Sequence, residues 1–145
     1  MDKKSFLQAG HTPTLLAAFL YFDLAFMVWV LLGPLGISIA KDLGLSHAEK
    51  GMMVATPVLA GALLRIIMGI LVDRLSPKKA AIIGQVVVIA TMLYAWQIGV
   101  HSYGEVLVLG LFLGVAGASF AAALPLASRW YPAEHQGTAM GIAGA

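Results

Sequence analysis

The chain has 145 residues, 60% of them hydrophobic and only 11% charged, and its mean hydropathy is +0.89. Soluble domains carry about 25% charged residues, so this composition excludes an ordinary soluble domain and leaves room for about four membrane crossings with short connectors. A net charge of +2, with the basic residues gathered at helix ends, is no nucleic-acid footprint, and the lack of cysteine excludes disulfides and thiolate metal sites.

A first helix is expected over about residues 15–40, with Asp23 as its internal charge. Lys3 and Lys4 ahead of it give the outline of a signal peptide. The apolar stretch exceeds a signal h-region of about 7–15 residues, however, and more spans follow, so it should remain as a membrane helix. A second helix is expected over about residues 51–73, opened by Ser46 and Glu49 in capping-box spacing. A third follows over about 79–99, after Ser76 as N-cap and Pro77 at the first helical position. A fourth covers about 105–130, opened by Ser102 and Glu105 and closed by Trp130-Tyr131, an interfacial aromatic anchor. From residue 137 the sequence reads as the opening turns of a fifth helix. Pro34, Pro57 and Pro125 fall inside spans and are read as kinks, because neighbouring helices and water can satisfy the freed carbonyls.

The expected fold class is therefore all-α, a polytopic membrane helix bundle. Gly110, Gly114, Ala118 and Ala122 recur at every fourth position, with Gly117 and Ala121 on an adjacent row. Gly137, Gly141 and Ala145 continue the spacing. Such rows let backbones approach closely and signal tight packing, not cargo. With the N-terminus cytoplasmic, Lys3, Lys4, Arg74, Lys78, Lys79 and Arg129 lie inside, and only Lys41 and Lys50 outside. The positive-inside rule favours that orientation.

Arg65 is the most informative residue. It interrupts the otherwise uncharged run from Gly51 to Val72, about two turns and about 12 Å before Asp73 at ~1.5 Å per residue. A guanidinium at membrane depth costs about 2.5–3.5 kcal/mol on insertion scales, and snorkelling would have to cover most of that depth. It either pairs with a buried carboxylate for packing or faces water or an anion. An arginine offers planar oxygens a fork of donors that lysine lacks. Asp23 could pair with Arg65, carry a coupling proton or face an aqueous vestibule. Phe26 and Phe120 could exclude water beside a flat ligand, although single phenylalanines in membrane helices are commonly packing residues. His11, His47, His101 and His135 fall in the tail and connectors, and Ser119 and Ser128 have no histidine base nearby. No enzyme, metal site or cofactor is expected.

The connector Gly69-Ile70-Leu71-Val72-Asp73-Arg74-Leu75-Ser76-Pro77-Lys78-Lys79 resembles the loop signature of the major facilitator superfamily. Gly69, Leu71, Asp73, Arg74 and Lys78 match it, whereas Ser76 and Pro77 replace the usual glycine and basic residue. Within that superfamily the chain is similar to the nitrate/nitrite porters. The similarity is carried by Phe26-Met27-Val28-Trp29, by Ala60-Gly61-Ala62-Leu63-Leu64-Arg65, by Gly117-Ala118-Ser119-Phe120-Ala121 and by the run from Gly137 to Ala145. It implies that Arg65 coordinates the anion, with Phe26 and Phe120 flanking it. It also implies that Asp73, Arg74 and Lys78, with Gly69, bias closure of the cytoplasmic side. A complete porter has a further arginine, an asparagine and a second half, so the sequence is expected to be the first part of a longer inner-membrane transporter. Its expected partners are nitrate or nitrite, the lipid bilayer and that missing half. Rival readings are transport of an organic anion and a membrane scaffold.

Overall fold

The computed structural model describes residues 5–145; Lys3 and Lys4, counted toward orientation above, lie outside the described residues. Among the described residues eight helices follow one another: α1 Phe6–Ala9, α2 Thr12–Trp29, α3 Leu32–Asp42, α4 His47–Arg74, α5 Pro77–Ile98, α6 Tyr103–Gly117, α7 Phe120–Ser128 and α8 Ala133–Ala143. Taken with their continuations, they give four stretches long and apolar enough to cross a membrane: Thr12–Asp42, His47–Arg74, Pro77–Ile98 and Tyr103–Ser128. Their outer faces carry large apolar side chains in the open, including Leu63, Ile66 and Trp96. A water-soluble monomer rarely shows such a surface, whereas lipid accepts it.

Local chemistry explains the helix ends. At the start of α4 the Ser46 hydroxyl accepts the Glu49 N–H while the Glu49 carboxylate accepts the Ser46 N–H, at 3.3 and 2.8 Å. Ser102 caps α6 by accepting the Glu105 N–H at 3.2 Å. Ser76 caps α5 by accepting the Lys79 N–H at 3.3 Å, but with φ 152° and ψ 158°. That backbone region suits glycine, the residue that the loop signature usually has there.

Two of the four spans are interrupted. Thr12–Asp42 breaks at Val30-Leu31, one turn before Pro34. Proline has no N–H for the Val30 carbonyl and its ring crowds that oxygen; the Gly33 N–H takes it instead at 2.9 Å. Tyr103–Ser128 breaks at Ala118-Ser119, well ahead of Pro125, which sits within α7. Pro125 is thus not where this span is interrupted. The break follows Gly117 and precedes a run of short-range bonds: Ser119 N–H to the Ala116 carbonyl and Ala121 N–H to the Ala118 carbonyl, both at 3.1 Å. Glycine and serine neighbours are a familiar cause of such bends.

The small-residue rows divide. A Cβ on Gly114 would collide with Ala60, and one on Gly110 would sit 3.2 Å from Pro57 and Thr56, so these glycines let α6 lie against α4. Ala118 and Ala122 pack with Met68, Val72, Ala80 and Ala81. On α8 the expected row is displaced. Gly137 and Gly141 meet nothing within 4 Å, whereas Ala139 and Ala143 are buried against Leu15, Ala18, Ala127 and Tyr131. The helix also begins at Ala133, ahead of residue 137, because Pro132 ends the turn and α-helical geometry resumes directly after it.

Candidate functional site

The break between α6 and α7 creates an unusual acceptor. In an unbroken helix the Gly117 carbonyl would take the Ala121 N–H, but that N–H turns to Ala118. Arg65 reaches across from α4, and its Nη2 donates to the Gly117 carbonyl at 3.3 Å. Its guanidinium carbon also lies 5.2 Å from the centre of the Phe120 ring, on the first residue of α7. Both partners are neutral. Cation–π contact contributes about 0.5–2 kcal/mol and a hydrogen bond to a charged group about 1.5–3. Together these offset the transfer cost of the arginine without neutralising its charge. At 3.3 Å the bond is also long for N–H···O, so it steers the side chain loosely. One N–H of the fork thus has a protein acceptor among the described residues, and the others have none there.

Phe26 does not reach Arg65 directly. Its ring touches Phe22 at 6.1 Å and Trp29 at 5.8 Å between centroids, and Phe22 meets Phe120 edge-on at 5.3 Å and 65°. Phe22 therefore bridges the two phenylalanines that the resemblance singled out, which sequence reading missed. The signal was present: Phe22 and Phe26 are four residues apart on α2, the spacing that places side chains on one helix face. The resulting feature is an aromatic wall with a cation at one end. It lies open, Phe26 being 42% exposed.

Asp23 is exposed on α2, and among the described residues it forms no ion pair with Arg65. Asp23 adjoins Phe22 in sequence, but its carboxylate is not brought to the guanidinium here. Asp73 and Arg74 end α4 and are exposed, Gly69 meets nothing within 4 Å, and Lys78 lies in the first turn of α5. Lys78 lines a cavity of about 520 Å³ with His11, Arg129 and Trp130. A larger cavity of about 730 Å³ opens between α5 and α6 at the opposite end. Neither is lined by Arg65, Phe26 or Phe120.

Residues 15–145 match the family model of the Major Facilitator Superfamily. The chain belongs to that superfamily. Its members are transporters, not enzymes, and this one is a multi-pass membrane protein. This major facilitator chain is 40% identical over 139 residues to a probable nitrate/nitrite transporter of Mycobacterium tuberculosis, an alignment covering 93% of the chain and 34% of that protein. It is 34% identical over 127 residues to a probable nitrate/nitrite antiporter of Thermus thermophilus, covering 87% of the chain and 28% of the relative. With a nitrite extrusion protein of Bacillus subtilis the identity is 33% over 120 residues, covering 83% and 30%. The chain thus spans about a third of the length of these relatives.

Proposed function

We propose that this chain forms part of a transporter moving nitrate, nitrite or both, with Arg65 as the group that holds the anion. The observation that carries the reading is the guanidinium steered by neutral partners, a carbonyl and a ring face, with no carboxylate among the described residues compensating it. Arg65 is exposed on α4 at mid-span; a cation at that depth, left with unit charge and free planar donors, favours a small planar oxyanion, which adds both charge and matching acceptors. Phe120 under the fork, with Phe22 and Phe26 beyond it, would keep water from competing. The names of the relatives point the same way. In the full-length protein, alternating access would move the anion as two halves rock around a midplane site. The same reading places the protein in the inner membrane with its N-terminus cytoplasmic, and gives Gly69, Asp73, Arg74 and Lys78 the task of biasing closure on that side.

The test is nitrate binding and uptake by the full-length protein carrying Arg65→Lys, which keeps the charge and removes the fork. Affinity should fall at least about tenfold, the worth of about 1.4 kcal/mol. Nitrite and chlorate should compete for uptake, and carboxylates should not. Unchanged affinity in the lysine variant would remove Arg65 from the site. Asp23 is assigned the weaker role of coupling a proton: Asp23→Asn should abolish the dependence of uptake on an imposed pH gradient, and an identical dependence in the two proteins would dismiss it.

A further inference from the structure

We infer that Trp29 is a positioning residue for Arg65: its indole fixes the separation of α4 and α6 at which the Gly117 carbonyl meets the guanidinium. The inference rests on the reading of Arg65 as the anion-holding group. Trp29 is the last residue of α2, but its polar edge is committed to α4, where Nε1 donates to the Pro57 carbonyl at 2.8 Å. The ring then lies directly on two glycines. A Cβ on Gly61 of α4 would stand 2.9 Å from Nε1 and 3.1 Å from Cε2, and a Cβ on Gly117 of α6 would overlap the six-membered ring's junction with the pyrrole. The indole is therefore a spacer between the two helices, gripped by backbone on both.

Those contact points coincide with the parts that matter for the cation. Gly61 lies one helical turn before Arg65 on α4, and Gly117 supplies the very carbonyl that accepts from Nη2. Gly114 already rests on Ala60 one turn earlier, so a thinner side chain at position 29 would leave the Gly117 turn unsupported and let its carbonyl tilt away from the guanidinium. Losing the N–H would release the hold on Pro57 and with it the rotation of the turn that leads to Arg65. The ring also meets Phe26 edge-on at 74°, so one side chain ties the far end of the aromatic wall to the cation's support. An indole N–H in an apolar bundle needs some acceptor, and here that acceptor is on α4, one turn before Gly61.

The experiment uses the full-length transporter and measures nitrate affinity, thermal unfolding and uptake for Trp29→Phe, Arg65→Lys and the double variant. Trp29→Phe should weaken affinity about two- to tenfold, the worth of one hydrogen bond, with maximal uptake largely kept. In the Arg65→Lys background the same change should cost no further affinity, because the group it positions is gone. That non-additivity is not expected of a purely structural role. If Arg65→Lys weakens binding while Trp29→Phe leaves it unchanged, Trp29 is packing alone and the inference fails. If Arg65→Lys leaves binding unchanged, the reading of Arg65 itself fails. Should Trp29→Phe not fold, benzothienylalanine at position 29 keeps the ring volume and removes the N–H. A loss of affinity of about twofold or more in that protein supports the inference, and unchanged affinity overturns it.

Discussion

The two interrupted spans make opposite use of a broken helix. In Thr12–Asp42 the cause is a proline, and the damage is repaired on the spot by the Gly33 N–H. The break faces outward, with Gly33 in open space and Pro34 exposed. In Tyr103–Ser128 no proline sits at the break, the segment is buried, and the Gly117 carbonyl is taken up by a side chain from another helix. The difference teaches that a freed carbonyl acquires a role only when a neighbouring helix lies close enough to use it. Here glycines at 61, 114 and 117 bring α4 and α6 that close.

The comparison can be broken most directly by adding one methyl at each site. Gly117→Ala drives a Cβ into the Trp29 indole, and overpacking of this kind costs about 1–3 kcal/mol; we expect the upper end, because the obstacle is a rigid ring held by a hydrogen bond. Gly33→Ala meets nothing and should gain up to about 1 kcal/mol from helix propensity. Thermal unfolding of the full-length protein in detergent measures both. Equal effects would mean that the two breaks are equivalent after all.

A smaller effect tests how dry the second break is. Ser119 is 1% exposed, and its hydroxyl has no hydrogen-bond partner among the described residues. Removing such a group relieves a desolvation penalty, so Ser119→Ala should raise stability by about 1 kcal/mol. A drop in stability instead would show that the hydroxyl is paired in the whole protein. The smallest effect concerns the connector between α4 and α5, where the backbone is irregular for a third reason. Ser76→Gly relieves a positive φ at a cost of a few tenths of a kcal/mol for the cap, and should gain about 0.5–1 kcal/mol overall. Urea or thermal titration showing a loss would mean that the cap outweighs the strain.

Much of the fold was legible because lipid imposes simple demands. Uncharged runs bounded by charges, and serine caps three residues before a glutamate, mark where helices stand whatever they pack against. The breaks were less legible. Pro34 announces its own, since the missing N–H is a property of the residue. Pro125 does not mark the interruption of its span, which falls at Ala118-Ser119, where Gly117 is pressed against an indole from α2. At the site, Arg65 and Phe120 were found as a pair through residue chemistry and resemblance together. Phe22 and Trp29 were not assigned roles, because an aromatic at helical spacing is usually packing until its neighbours are known.

The amino-acid order alone determined that the chain lives in a membrane as a bundle of helices, and that one span carries a guanidinium far from either of its ends. Hydrophobicity and charge act locally and leave a direct mark in the residues. Only the tertiary structure decided what that guanidinium meets: a carbonyl released by a bend, a ring face and, among the described residues, no carboxylate. Those partners come from helices far apart in the chain, and their meeting depends on how closely backbones approach, a matter of packing that no single segment encodes.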